Sequence, residues 1–388
     1  MRLGAIFPLE ISLPTGIFSP MTETNITRAT PLAQLLAKDD APPELVSCRG
    51  TLTPQRLDAE EKETAALAFG AAVHDLGWLR RSAVRGEDRF RWLSGMVTNT
   101  VNDLAANAGA WNLVLNAQGR IQGDLHVWRN GDELDLVIAA DQYDRLLAHL
   151  ERFIIMDDVE LLPLSETALG LAGPLAAGIL ARLGLPAPEP MTGVSADWNG
   201  AQIRVVRAFG ALVPHYELWV QAAQLPALRK IIEAGATPVG AATLEAFRIA
   251  EAIPVYGIDI AERDLPQEVT VTGEQRSMQA LNFNKGCYIG QEIVERIRSR
   301  GSVHRHLRPL ELLGALPASG AALTLDDGTV AGQITSAAEL PLAAGIRCFA
   351  LGMVRGEAEL RSQTFSYDAG TAKGTARILA APPTLEAD

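Results

Sequence analysis

Cysteine is nearly missing from this chain: among 388 residues only Cys48, Cys287 and Cys348 carry a thiol. No two are close in sequence, so there is no CxxC pair and no thiolate set within the chain able to hold zinc or an iron–sulfur cluster. No metal site is expected. The sparse, odd count also argues against a disulfide framework and fits a reducing compartment. Long apolar runs are lacking too. The uncharged stretch Ala168–Ala181 is broken by Gly170, Gly173, Pro174 and Gly178, and falls short of the roughly 20 apolar residues a membrane span needs. No apolar stretch followed by small residues marks a secretory signal, so a cytoplasmic location without membrane contact is expected. Basic residues are in deficit, 34 Lys and Arg against 46 Asp and Glu for a net charge of −12. That balance argues against a surface that binds nucleic acid or anionic lipid as a whole. GxGxxG, GxxxxGK(S/T), HExxH and GxSxG are absent as well. Nucleotide hydrolysis, zinc peptidase and serine hydrolase chemistry thereby lose their usual sequence support.

What is present is an ordinary globular composition, 48% hydrophobic and 21% charged, at a length that predicts two or three domains. Residues 1–57 mix apolar and polar positions without a period and read as a poorly structured N-terminal extension. Met21 opens a stretch that reads like a natural start, so residues 1–20 are expected to lie upstream of the protein proper. An α+β region is expected over 58–300. Glu60–Ala72 is helix-forming, Trp78–Val84 and Leu134–Ala139 read as strands, and Ala110–Trp128 reads as two strands joined at Gln118-Gly119. In the second of these, Leu125 and Val127 face one way while Asp124, His126 and Trp128 face the other. Leu146, Leu147, Leu150, Phe153 and Ile154 form one helical stripe. A helix over Ala242–Ala252 stops before Pro254. After Gly301 short β-prone runs alternate with turns such as Asp326-Asp327-Gly328, which predicts a small β-barrel domain over 301–388. No internal repeat is visible.

Four segments carry candidate chemistry. In Lys285-Gly286-Cys287-Tyr288-Ile289-Gly290-Gln291-Glu292, two glycines bracket a Cys-Tyr pair. A lysine two residues away and a helix starting near Gly290 would make the thiolate more available; the plain alternative is a buried Cys in a turn. Arg296–Arg308 holds five Arg and two His without an acid. It reads either as an anion or RNA site or as a solvated linker. Arg248–Asp259 joins a helix end, a proline break and Tyr256-Gly257 to a carboxylate. That suits a pocket wall, or only a helix end with Glu251 paired to Arg248. Asp124 and His126, with Asn112 and Asn116 on the partner strand, could hydrogen-bond a pterin or purine, or face water.

Taken together these segments resemble the YgfZ/GcvT family, and specifically its folate-binding YgfZ branch. Gly86–Asn99 is similar to the family's G-x-D-R…L-x-G-x-x-T-N segment, Leu115–Leu125 to its N-x-x-G-R-I-x-x-D-L hairpin, and Arg248–Asp259 to R-I-E-A-G-I-P-x-Y-G-x-D. The K-G-C-Y-x-G-Q-E signature at Lys285–Glu292 is complete. The resemblance implies an α+β, GcvT-like folate-binding body with a central cavity and a small C-terminal β-barrel. It implies a tetrahydrofolate-binding accessory protein for iron–sulfur cluster assembly or repair, with client or assembly proteins as partners and Cys287 as the reactive group. The implied folate contacts are Asp124, Asn112, Asn116, Glu251, Tyr256, Lys285, Tyr288, Gln291, Glu292, Arg296 and Arg298. The sibling branch, the aminomethyltransferase of glycine cleavage, is the alternative. Two departures oppose it: Gly123 precedes a lone Asp124 where the transferases carry adjacent carboxylates, and their counterpart of the signature lacks the Cys. A third reading is a tRNA-modification accessory protein that contacts RNA through Arg296–Arg308. Ile253 replaces the Gly of E-A-G, and a branched residue there would restrict φ.

Overall fold

The computed structural model describes residues 28–269, 279–301, 303–343, 345–370 and 372–385. At the amino-terminal end β1 (Arg28–Ala29), α1 (Pro31–Leu36), β2 (Leu45–Cys48) and β3 (Thr51–Pro54) build a small sheet in the order β1-β3-β2. The expectation that all of 1–57 is poorly structured therefore fails for 28–57. Each element there is too short for a period to be read. Local chemistry defines them instead: Thr30 caps α1 by accepting from the Ala33 N–H at 3.1 Å, and Pro31 opens the helix with its fixed φ. The expectations for residues 1–20 and for a start at Met21 lie outside the described residues.

After α2 (Glu60–Phe69) and β4 (Ala72–Asp75), one unit runs twice. Its first copy is β5 (Leu79–Arg85), α3 (Arg89–Met96), β6 (Gly109–Leu115), β7 (Ile121–Asn130), β8 (Glu133–Ala139), α4 (Ala140–Glu151) and β9 (Glu160–Pro163). The second is β10 (Thr167–Ala172), α5 (Ala176–Arg182), β11 (Thr192–Trp198), β12 (Ala201–Ala208), β13 (His215–Val220), α6 (Leu225–Glu233) and β14 (Thr237–Val239). The sheets run β6-β7-β8-β5-β9 and β11-β12-β13-β10-β4-β14. The second matches the first with β4 inserted beside β10.

Each sheet gives one face to its own helices and the other to its twin. Leu146, Leu147 and Leu150 of α4 and Trp92 and Leu93 of α3 pack on Leu125, Val127, Leu134 and Leu136. Ile179, Leu180, Leu228 and Ile232 cover Leu169, Leu171, Val205 and Leu218 of the second sheet. Fully burying such a side chain contributes about 1.5–3 kcal/mol. Between the sheets, Trp128 and Val137 meet Ala168, Val206 and Trp219. The two-residue alternation of β7 holds as read from the sequence.

Next come α7 (Ala241–Ala250), α8 (Pro266–Val269) and α9 (Gln291–Arg300). Helix α7 ends in a left-handed residue, Ala252 at φ 57°, after which the Ile253 N–H bonds the Arg248 carbonyl at 3.0 Å. The backbone demand sits one residue before Ile253, where the sequence pattern located it. The C-terminal strands β15 (Arg305–Leu313), β16 (Ala322–Thr324), β17 (Val330–Leu342), β18 (Gly345–Arg355), β19 (Thr364–Asp368) and β20 (Lys373–Ile378), with α10 (Gly356–Arg361) after β18, close a barrel ordered β15-β18-β17-β16-β19-β20. Closure leaves no free edge. An α+β body followed by a small β-barrel is the architecture expected from the sequence.

Candidate functional site

A cavity of about 270 Å³ lies between the two sheets, with β2, β3, α7 and the loop Ile253–Tyr256 contributing to its lining. Much of the wall is apolar or aromatic: Leu76, Trp78, Leu79, Val137, Phe209 and Leu244. Set into it are Arg49, His74, Asp124, His126, His215 and Glu217. Few polar groups converging in an apolar slot are the usual makings of a small-molecule site.

Asp124 reaches the cavity because the β7 pleat turns it away from the helices. Its carboxylate is clamped: Trp111 Nε1 donates to Oδ2 at 2.9 Å and Gln142 Nε2 donates to Oδ1 at 3.0 Å. Gln142 Oε1 in turn accepts from the Asp124 N–H at 3.1 Å. Gly123 is what lets Gln142 approach, since a Cβ there would stand 2.7 Å from Gln142 Oε1. His126 stacks on Trp128 with centroids 6.5 Å apart, and burial lowers its pKa against the opposing pull of Asp124.

Three polar groups come from the second sheet. Glu217 accepts from Trp219 Nε1 at 2.8 Å, and burial raises its pKa. His215 Nε2 pairs with Glu251 Oε2 at 3.0 Å; burial alone would lower the His215 pKa, but Glu251 outweighs it and the net shift is upward. His74 is 5% exposed, and burial together with the nearby His215 pushes it down to about 3. Arg248 closes the α7 end of the wall. It donates to both Glu245 oxygens at 2.9 and 2.5 Å, to Asp259 at 2.6 Å and to the Ile253 carbonyl at 2.6 Å. Burial pulls its pKa down, and Glu245 and Asp259 reverse that. Cys48 is the thiol in the lining, and burial pushes it up to about 11, which keeps it a neutral, poorly nucleophilic thiol.

Of the residues singled out by sequence, Asp124, His126, Arg248 and Tyr256 line this cavity. Tyr256 carries the Arg145 guanidinium 5.2 Å from its ring centroid. Glu251 is buried behind His215, accepting also from the Leu212 N–H at 2.9 Å. Asn112 needs correction. Its cross-strand partner is Leu125, while Asp124 sits opposite Leu113, so Asn112 belongs to the helix-covered face. There it accepts from the Asn99 N–H at 2.7 Å. Asn116 serves the hairpin corner, accepting from Gln118 and Arg120 N–H groups, each at 3.0 Å.

The signature Lys285–Glu292 packs against that same hairpin, away from this cavity's lining. Gly290, at φ 83°, has its Cβ direction 2.6 Å from the Asn116 carbonyl oxygen, so only glycine fits. Lys285 Nζ donates to the carbonyls of Ser94, Val97 and Asn99 at 2.7, 2.5 and 2.8 Å. A cation is at home where α3 ends. Burial pushes Lys285 down to about 7. Its Nζ is held by the carbonyls at and just after the end of α3, and Tyr288 is buried in the core below it. Cys287 is exposed and free. The thiol is accessible as expected, yet it does not line the cavity. Gln291 and Glu292 open α9; Arg296 and Arg298 sit exposed on it, Arg298 4.4 Å from the Phe283 ring centroid and 3.6 Å from Glu295. The basic segment is partly neutralised from within: Arg305 pairs with Asp264 at 2.7 Å and Glu268 at 2.9 Å, and Arg308 with Glu359 at 2.9 Å.

The family model of the GCVT N-terminal domain matches residues 44–273, which holds both sheets and most of the cavity wall. The chain belongs to this family. Its relatives include an aminomethyltransferase of Rubrobacter xylanophilus, 26% identical over 304 residues, 76% of this chain and 80% of that protein. A protein of Cronobacter sakazakii named tRNA-modifying protein YgfZ is 25% identical over 273 residues, 65% of this chain and 80% of its own. Aminomethyltransferase T of Bartonella henselae shares the fold, with a TM-score of 0.81 at 21% identity over 92% of this chain and 97% of that one.

Within this GCVT-domain protein, sequence reading missed His74, His215, Glu217 and Arg49. His215-Tyr216-Glu217-Leu218-Trp219 does carry a signal, since polar residues alternate with apolar ones in a β-prone run. For His74 there was none: one histidine in a short buried strand has no period of its own.

Proposed function

We propose that the chain binds tetrahydrofolate between its two sheets and acts as an accessory protein for iron–sulfur cluster assembly or repair. The single observation that carries the binding half is Asp124, clamped by Trp111 and Gln142 in an apolar slot of about 270 Å³. A pterin is flat and presents donors and acceptors at its edge; Asp124, Glu217 and the cavity histidines suit that edge, and Trp78, Phe209 and Tyr256 suit its faces. Relatives named aminomethyltransferase add support. The accessory half rests on the complete K-G-C-Y-x-G-Q-E resemblance and on the exposed Cys287. A thiol on the outer surface suits exchange with a partner protein, and one thiol is too few to hold a cluster alone. The test is calorimetric titration with tetrahydrofolate beside the activity of cluster-dependent enzymes in a deletion strain. Wild type is expected to bind and to restore that activity, and Cys287→Ser to bind without restoring it. Absence of binding by wild type refutes the reading.

A second reading, a folate-dependent aminomethyltransferase, is favoured by the same carboxylate, because a fixed anion beside the folate would stabilise a cationic iminium form. Reconstituted glycine cleavage separates the two. Turnover that survives Cys287→Ser selects the transferase.

A further inference from the structure

Both ring nitrogens of His74 are buried without a hydrogen-bond partner. The side chain lines the cavity and is 5% exposed. Histidine in such a place costs free energy, since a buried polar group left unmatched loses its hydration and gains no partner in return. The surroundings are built around it all the same. His74 on β4 pairs with Gly170 on β10, and Gly170 pairs with Glu217 on β13, so the three stand in one row on the cavity face. The imidazole lies across the glycine: a Cβ on Gly170 would come within 1.9 Å of His74 Cε1. Any side chain at 170 would drive the ring from its place over this glycine, which stands between His74 and Glu217 in the row. His215, close enough to depress the His74 charge, is already held by Glu251. His215 thus has its Nε2 committed to Glu251, whereas neither ring nitrogen of His74 has a well-formed partner.

We propose that His74 is a ligand-reading residue of this cavity, hydrogen-bonding a heteroatom at the edge of a flat nitrogen heterocycle that Glu217 meets from the neighbouring position. The inference rests on the folate reading above and names which edge contacts select the ligand. A neutral imidazole offers one donor and one acceptor on nitrogens that point apart, so His74 meets a single edge atom, and its tautomer sets whether that atom is an N–H or a bare N or C=O. It would be silent toward a purely apolar ligand of the same shape.

The decisive variant is His74→Phe, which keeps a ring over Gly170 and removes both nitrogens. It is expected to weaken tetrahydrofolate binding about tenfold, the worth of one matched hydrogen bond in a buried site, while the ligand-free protein unfolds at the same or a higher temperature. A structural histidine gives the opposite pair, a lower melting temperature with unchanged affinity, and that result overturns the proposal. Ordered water satisfying the ring without contact to ligand leaves affinity within about twofold, which also overturns it. Should the variant not fold, wild-type protein with ¹⁵N-labelled histidine decides: saturating tetrahydrofolate must shift the His74 ring nitrogens, and unmoved resonances end the idea. If wild type does not bind tetrahydrofolate at all, the folate reading and this inference fall together. If wild type binds and His74→Phe binds equally well, the inference falls alone.

Discussion

Asp259 joins Arg248 to the barrel. One carboxylate oxygen accepts from Arg248 at 2.6 Å, and the other accepts from Thr335 at 2.6 Å and Ser336 at 2.7 Å in β17. The helix end that closes the cavity is thereby bolted to a different domain, at the point where the β17 register shifts between Ile334 and Ser336. Asp259→Asn removes the charge and leaves Arg248 with Glu245 and the Ile253 carbonyl. The expected loss is about 3 kcal/mol, as for other buried pairs broken from one side, read as a shift in the urea midpoint.

Gly290 and Gly119 show how the signature loop is held. Both have positive φ, 83° and 70°, and the added Cβ of Gly119 would sit 2.9 Å from Ile293 Cβ. Gly290→Ala must strain the backbone and displace the Asn116 carbonyl. A cost of about 2 kcal/mol is expected, measured by thermal unfolding; unchanged stability would mean that the loop and hairpin do not touch in solution.

Ligand affinity and thiol chemistry are separable. Asp124→Asn is expected to weaken tetrahydrofolate binding by about tenfold or more, because a charge-assisted contact is lost. Cys287→Ser should leave it within about twofold, since the thiol is not in the lining. Calorimetry on the two variants side by side checks both statements.

His74 and His215 shape the pH dependence in opposite senses. Burial holds His74 at about 3 against 6.5 for an unperturbed histidine, so the unfolded chain takes up that proton first as pH falls. Stability from this group is full above 6.5 and declines toward 3. His215 has a folded pKa above 6.5, so the stability it gives with Glu251 is full below 6.5 and fades as pH rises through the folded value. His74→Phe should move the acid-unfolding midpoint to lower pH. Glu251→Gln should remove the loss of stability on the alkaline side of 6.5. Circular dichroism during pH titration reads both.

Where one segment carried enough residues to show a period, the sequence was readable. The alternation of Asp124, His126 and Trp128 against Leu125 and Val127 stands, and the helical stripe stands at Leu146, Leu147 and Leu150 but not at Phe153 and Ile154, which lie beyond the end of α4 at Glu151. Residues 28–57 escaped because their strands and helix are too short to show one. Asn112 was misplaced because strand register is set by the hairpin corner, and the bulge between Val114 and Leu115 shifts it. Lys285 and Tyr288 entered as folate contacts implied by the family resemblance, and a motif does not show the surroundings found here, the end of α3 for Lys285 and the core for Tyr288.

By itself the chain of residues determined what depends on near neighbours: which segments are helix or strand, which face of each is apolar, where glycine must turn the backbone, and that a β-rich domain follows an α+β one. Only the assembled molecule decided that two units of the same order stand face to face, because their likeness lies in connectivity and not in residue identity. It also decided that His74, Asp124 and Glu217 share a cavity while Cys287 stands outside it. Those residues are separated by dozens of positions, and their meeting follows from sheet register and layer packing, which no local pattern encodes.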